Sequence, residues 1–345
     1  MEKKRINRFD NLKGFLIITV VLYHTLQLRM FIRNDELIVP DYILSVLNSF
    51  IMPNFIFLSG LFTSKNWAQE KYVEKNVSNL LLPFLIFNLL HWGMFTRSLS
   101  SLLTPNYQLW YLLSLFFWRF MVIPIKKLKF SFLFSIVLAL ICGFTEANKL
   151  FSLSRTVCFF PFFLAGYSMD KQKLLKDGDG SWQKVLAALV MCVIFLLAIV
   201  LHYKKLPINE VLYMKDGYDS LGVSSTTGFL LRLLAYCIGF ISIACLFRLL
   251  SDKKSFLTVL GKNTMPVYIG HAFIIRIYAL LFRRLGYFSE MSEIGFLIFA
   301  FAVTVAICLV LSNRHVVDAY QRFMNLITKL FVKDPISQEE TLENI

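Results

Sequence analysis

The chain has 345 residues, 57% of them hydrophobic and only 17% charged, with a formal net charge of +14 and a mean hydropathy of +0.62. That balance excludes an ordinary soluble domain and indicates a polytopic membrane protein. The basic excess calls for no nucleic-acid partner, because it is distributed along the chain as membrane topology demands.

Apolar segments of spanning length recur at roughly 12–31, 42–62, 77–96, 109–125, 130–146, 153–169, 184–203, 228–247, 264–282 and 294–312. They predict an all-α membrane domain of about ten transmembrane helices over residues 1–333, followed by a short, acidic, disordered tail over 334–345. If the N-terminus is cytoplasmic, the inner segments collect most of the 36 lysines and arginines, among them Lys3, Lys4, Arg5 and Arg8, then Lys126, Lys127 and Lys129, then Lys253, Lys254 and Lys262. The positive-inside rule then puts both termini in the cytoplasm. The first apolar run lacks a small-residue cleavage site and reads as a retained helix. Six cysteines, Cys142, Cys158, Cys192, Cys237, Cys245 and Cys308, fall in predicted spans without a CxxC pair, so disulfide and metal signals are weak.

The first helix carries the sharpest chemical signal. His24 sits inside the apolar run from Leu16 to Leu28, and an ionisable side chain at that depth is costly and tends to mark a pathway, relay or reaction centre. Lys13 precedes it by eleven residues, a spacing that returns to within roughly 20° of the same helix face about 16 Å further along the axis. His24 itself lies about 18 Å from Leu12, just past the middle of a hydrocarbon core roughly 30 Å thick.

Further signals follow along the chain. They are Met52-Pro53-Asn54-Phe55-Ile56-Phe57-Leu58-Ser59-Gly60, Leu81-Leu82-Pro83-Phe84, Leu109-Trp110-Tyr111-Leu112, Arg155 ahead of Phe159-Phe160-Pro161-Phe162-Phe163-Leu164-Ala165-Gly166, and Leu260-Gly261-Lys262-Asn263-Thr264 with Tyr268 and His271. The longest outer connection, about 204–227, is either a lid or a passively tolerated loop.

Taken in order, these pieces and Lys13-x10-His24 resemble the membrane proteins of acyltransferase family 3, and within them the fucose 4-O-acetylase-like branch. Two departures stand out. Lys13 occupies the place of an arginine, keeping the charge but losing the planar fork. The basic cluster before the third helix is thin, with Lys71 and Lys75 followed by Asn76, Asn79 and Leu80.

The resemblance implies transfer of an acyl group, usually acetyl, from coenzyme A to a hydroxyl of a bacterial envelope or exported carbohydrate. Acetyl-CoA is then a substrate, with no bound cofactor or metal, in a multi-pass protein of the cell membrane. His24 is the candidate general base, since imidazole titrates near neutrality; the alternative is a hydrogen-bonded helix-packing histidine. Lys13 is the candidate phosphate contact. Asp10 either orients Lys13 or forms a solvated interfacial pair with it. Ser59 near the inner end of helix two, and Asn263 or Thr264 at the start of helix nine, either join the phosphate site or are ordinary polar and capping residues. On the outer half, Glu146, Arg155, His271 and Arg276 are candidates for an acceptor cavity, whereas Arg232 reads as a snorkelling arginine. Trp110 is either a sugar-stacking platform or an aromatic-belt anchor. Arg119, His91, His202 and His315 receive no role. Two readings from other classes remain open: a proton-coupled transporter or flippase for a lipid-linked glycan, although no inverted repeat is visible, and a non-catalytic membrane scaffold.

Overall fold

The computed structural model describes residues 6–28, 38–67, 71–97, 104–105, 107–145, 151–176, 180–285 and 291–332. Among these the chain is helical without strands. The predicted tail and Glu146 lie outside the described residues.

Within the described residues, each of the ten predicted segments overlaps a helix. They are α1 (Asn7–Leu26), α2 (Ile38–Asn48) with α3 (Ile51–Phe62), α4 (Tyr72–Thr96), α5 (Trp110–Ile125), α6 (Ser131–Ile141), α7 (Leu153–Ser168), α9 (Ser181–Tyr203), α11 (Ser225–Leu249), α13 (Thr264–Leu285) and α14 (Glu293–Leu311). Short helices α8 (Lys171–Lys176), α10 (Ile208–Tyr213) and α12 (Phe256–Lys262) connect them, and α15 (Arg314–Phe331) follows. Among the described residues six helices are long and apolar enough to cross a bilayer: Val39–Phe62, α4, α9, α11, α13 and α14. The others fall short for identifiable reasons. α5, α6 and α7 run 16, 11 and 16 residues, and the first turns of α1 hold Asn7, Arg8, Asp10 and Asn11. Val185, Leu189, Val193 and Leu196 of α9, and Ile294, Ile298 and Phe301 of α14, are exposed. Such apolar ridges suit hydrocarbon rather than water. Hydropathy does not predict the long helix α15, because Arg314, Asp318, Arg322 and Lys329 line one face of it opposite an apolar stripe.

The chain divides into two compact units, one made of 1–55, 175–209 and 237–317, the other of 56–174, 210–236 and 318–345. In the first unit α1 packs chiefly on α12, and also on α13 and α14. Glycines make that crossing close: Gly14 of α1 presses on the Leu257 carbonyl, and Gly261 of α12 presses on the Asp10 carbonyl. A Cβ on either would collide with backbone, which cannot step aside. Asn11, buried in the same crossing, locks its register. Its amide nitrogen donates to the Ser251 and Lys253 carbonyls at 2.7 and 2.8 Å, and its oxygen accepts from the Ser255 and Thr258 hydroxyls at 3.0 and 2.6 Å. All four bonding positions of the Asn11 amide are therefore used, so its burial carries no unpaired polar group.

The second unit repeats the device. Gly60 of α3 presses on the Phe163 carbonyl, and Gly166 of α7 presses on the Phe57 carbonyl. Around them Phe159, Phe160, Phe162 and Phe163 are buried, and α7 packs against α5 and α6. The segment 210–227 folds back rather than hanging free. Val211 and Met214 are buried, and the fully buried Tyr218 donates to the Leu140 carbonyl at 2.8 Å.

Candidate functional site

α1 is uninterrupted from Asn7 to Leu26, so Lys13 and His24 keep the stripe that their spacing predicts. Both are half-buried, while Leu12, Leu16, Ile17 and Val21 on the packed face are fully buried. The close α1–α12 crossing at Gly14 and Gly261 anchors the helix beside Lys13. Asp10 is 3% exposed, and its backbone carbonyl lies directly against Gly261.

The structure brings His24 and His271 together. Their rings stack with centroids 5.4 Å apart at 29°. His271 is fully buried on α13. Its Nδ1 lies 2.8 Å from the Val267 carbonyl, which can only accept, so Nδ1 carries the hydrogen. Nε2 of His271 is then a buried acceptor without a hydrogen-bond partner among the described residues. Tyr268, one turn earlier, lies with its ring 6.1 Å from that of His271. Around His24, Nδ1 lies 3.1 Å from Gln27 Oε1 and the Tyr23 ring sits edge-on at 5.2 Å. Gln27 Nε2 donates to the Tyr23 hydroxyl at 3.2 Å. Asn48 of α2 donates to the same hydroxyl at 3.2 Å and to Asn209 Oδ1 at 3.3 Å. Gln27 escaped the sequence reading although it stands three residues after His24 and thus on the same helix face. Asn48 and Asn209 carry no local signal, since their contacts form only when distant segments pack.

The other candidates in this unit are less concentrated. Arg276 is half-buried on α13, five residues beyond His271 and so turned well away from it around the helix. Asn263 ends α12, and its amide nitrogen donates back to the Val259 carbonyl at 3.3 Å.

In the second unit, the Ser59 hydroxyl pairs with the Tyr111 hydroxyl. Trp110 is only 8% exposed, with its ring stacked at 5.5 Å on Phe159 and the Arg155 guanidinium 4.8 Å from its centroid. The indole is packed inside the protein between an aromatic ring and a cation. Arg155 also approaches the Tyr213 ring at 5.7 Å, a cation–π arrangement. Arg232 corrects the snorkelling expectation. It is 0% exposed, donates to the Asp216 carbonyl at 2.7 Å and lies 4.6 Å from the Tyr218 ring. The physical reason is the returning segment 210–227, which carries both partners to the arginine and spares it the reach to headgroups. Arg119, a residue without a role on sequence grounds, donates to Asn76 Oδ1 at 2.8 Å, and its backbone carbonyl accepts from Tyr72 at 3.0 Å. Asn76 immediately precedes a π-helical turn, Val77–Leu81. A cation from α5 thus reaches α4 at Asn76, just before that turn. Among the described residues no group of His, Cys, Asp and Glu forms a metal site.

A helix with a cation and a titratable imidazole on one stripe, a second buried histidine stacked against it, and a wholly helical, lipid-suited surround make acyl transfer within a membrane domain a chemically coherent reading. The family comparison agrees: the acyltransferase family 3 profile, an acyltransferase domain, matches residues 6–313. No curated protein and no solved structure is significantly similar to the chain. The match spans α1 through α14 and includes both glycine-paired crossings, and on that basis the chain belongs to acyltransferase family 3.

Proposed function

We propose that this membrane acyltransferase is an O-acetyltransferase of the fucose 4-O-acetylase-like kind, moving acetyl from acetyl-CoA to a hydroxyl of a cell-envelope or exported carbohydrate. In this reading ten helices cross the cell membrane and both termini are cytoplasmic. The carrying observation is the continuous α1, which holds Lys13 and His24 half-buried on one stripe with His271 stacked on the imidazole.

His24 removes the acceptor hydroxyl proton as that oxygen attacks the thioester carbonyl, forming a C–O bond and a tetrahedral intermediate. Collapse of the intermediate breaks the C–S bond, and the proton held by His24 passes to the departing thiolate. Lys13 holds donor phosphate as a point charge. Donor enters from the cytoplasm beside Lys13, with Asp10 and Asn263 of the same unit as supporting candidates. Acceptor approaches from the outer side, with His271 and Arg276 of that unit as candidates for its contacts.

Sealed inside-out vesicles test donor, acceptor and sidedness together. External radiolabelled acetyl-CoA is expected to label glycan acceptor trapped in the lumen. Labelling only of external acceptor would overturn the transmembrane route, and no labelled glycan on either side would overturn the acetyl-to-carbohydrate assignment.

A further inference from the structure

We infer that Gln27 is a positioning residue that fixes the tautomer of His24, holding its proton on Nδ1 so that the Nε2 lone pair meets the acceptor hydroxyl. The inference rests on His24 being the general base and adds what makes that base competent.

The argument starts from the far end of a polar chain within one unit. Asn209 Oδ1 can only accept, so Asn48 points its amide nitrogen at it, at 3.3 Å, and donates its other hydrogen to the Tyr23 oxygen at 3.2 Å. That oxygen takes a second donation from Gln27 Nε2 at 3.2 Å. With its nitrogen committed to Tyr23, the Gln27 amide turns its oxygen to His24 Nδ1 at 3.1 Å. An amide oxygen carries no hydrogen to give, so the hydrogen between them belongs to Nδ1. Neutral imidazole has one N–H, and Nε2 is therefore the basic nitrogen.

The choice of an amide has a physical rationale. A carboxylate at Gln27 would orient the ring equally well, but would bring a second ionisable group to membrane depth, which is expensive. An amide oxygen orients the ring as a neutral dipole and still stabilises the imidazolium that forms when the proton arrives, by charge-assisted hydrogen bonding. Gln27 sits just beyond the last residue of α1, at its C-cap, so the backbone holding the amide is continuous with that holding the imidazole. Tyr23 from its own helix and His271 from α13 both set titratable rings against His24.

The test uses the full-length protein in nanodiscs, labelled with 15N-histidine. The chain has five histidines, and the His24 signals are those lost in His24→Ala. Wild type is expected to give a neutral Nδ1–H tautomer for His24, and Gln27→Leu a mixture of tautomers. An Nε2–H tautomer in wild type, or an unchanged pattern in Gln27→Leu, would overturn the inference; the wild-type spectrum decides even if Gln27→Leu fails to insert. With acetyl-CoA and methyl fucoside as probes, Gln27→Leu is expected to lower kcat by about 10- to 100-fold with both KM values nearly unchanged. Gln27→Glu is expected to restore turnover and move the acidic limb of the pH profile upward, because a carboxylate beside Nδ1–H favours the imidazolium. Wild-type turnover in His24→Ala would remove the base itself. An inactive His24→Ala beside wild-type kinetics and spectra in both Gln27 variants would remove only the role of Gln27.

Discussion

The two compact units solve the same packing problem with the same device and put different chemistry around it. In one, Gly14 and Gly261 bring α1 and α12 backbone to backbone; in the other, Gly60 and Gly166 do so for α3 and α7. The first crossing is lined by Asn11, Asp10 and, along the same helix, Lys13 and His24. The second is lined by phenylalanines, with Trp118 donating to the Thr156 carbonyl at 2.6 Å as a structural pin. Close crossing is thus a means of rigidity, and function depends on which side chains the rigid helix carries. A polar helix needs its backbone held firmly because each misplaced polar group inside a membrane costs free energy; an aromatic helix can rely on dispersion and ring packing.

If the division of labour is right, the largest effect comes from a change that leaves both crossings alone. His24→Ala is expected to reduce acyl transfer by roughly 10^2- to 10^4-fold, the usual contribution of a positioned base, with insertion and thermal unfolding unchanged. Near-wild-type turnover in the inserted variant would strip the first unit of its chemical role. The glycines come next. Gly261→Ala and Gly166→Ala each drive a methyl into a facing backbone carbonyl, and each is expected to lower stability by about 1–3 kcal/mol. Only Gly261→Ala should also raise the donor KM, because it displaces α1 at Lys13. An equal KM rise in Gly166→Ala, measured beside thermal unfolding in detergent, would break the contrast.

Lys13 sharpens it from the chemical side. Lys13→Ala is expected to raise the acetyl-CoA KM about tenfold, the scale of one charged hydrogen bond. Lys13→Arg should retain activity and tighten donor binding through its planar fork. A donor KM unmoved in both variants would detach Lys13 from the phosphates and leave the stripe with one functional member.

Much of this architecture is legible in the chain because lipid imposes a simple rule: long apolar runs become helices. The Lys13–His24 stripe is legible for a similar reason, since helical spacing is local and periodic. Glycines in the quoted motifs were visible as letters, but their use, pressing on a carbonyl of a helix far away in sequence, was not. Arg232 was misread because its fate depends on a returning segment whose direction no local pattern encodes. α15 was missed because charges on one face hide an apolar stripe from a windowed average. Gln27 could have been found by extending the stripe one more turn; Asn48 and Asn209 could not, being 161 residues apart.

The smallest expected effect compares a single hydroxyl in each unit. Thr258→Val removes a donor to Asn11, but Ser255 still donates to the same oxygen. Tyr218→Phe removes the hydroxyl donor to the Leu140 carbonyl. Burial pushes the Tyr218 phenol above its ordinary range, so it remains a protonated donor throughout the neutral range and its bond is not weakened by titration there. Each variant should therefore cost about 0.5–1.5 kcal/mol. Tyr218→Phe should fall at the upper end, because a buried carbonyl loses this donor. Thr258→Val should fall at the lower end in stability yet raise the donor KM slightly, since Asn11 registers α1 two residues from Lys13. A Thr258→Val protein with unchanged donor KM, and a Tyr218→Phe protein with a raised one, would reverse the assignment of polar register to the first unit and plain packing to the second.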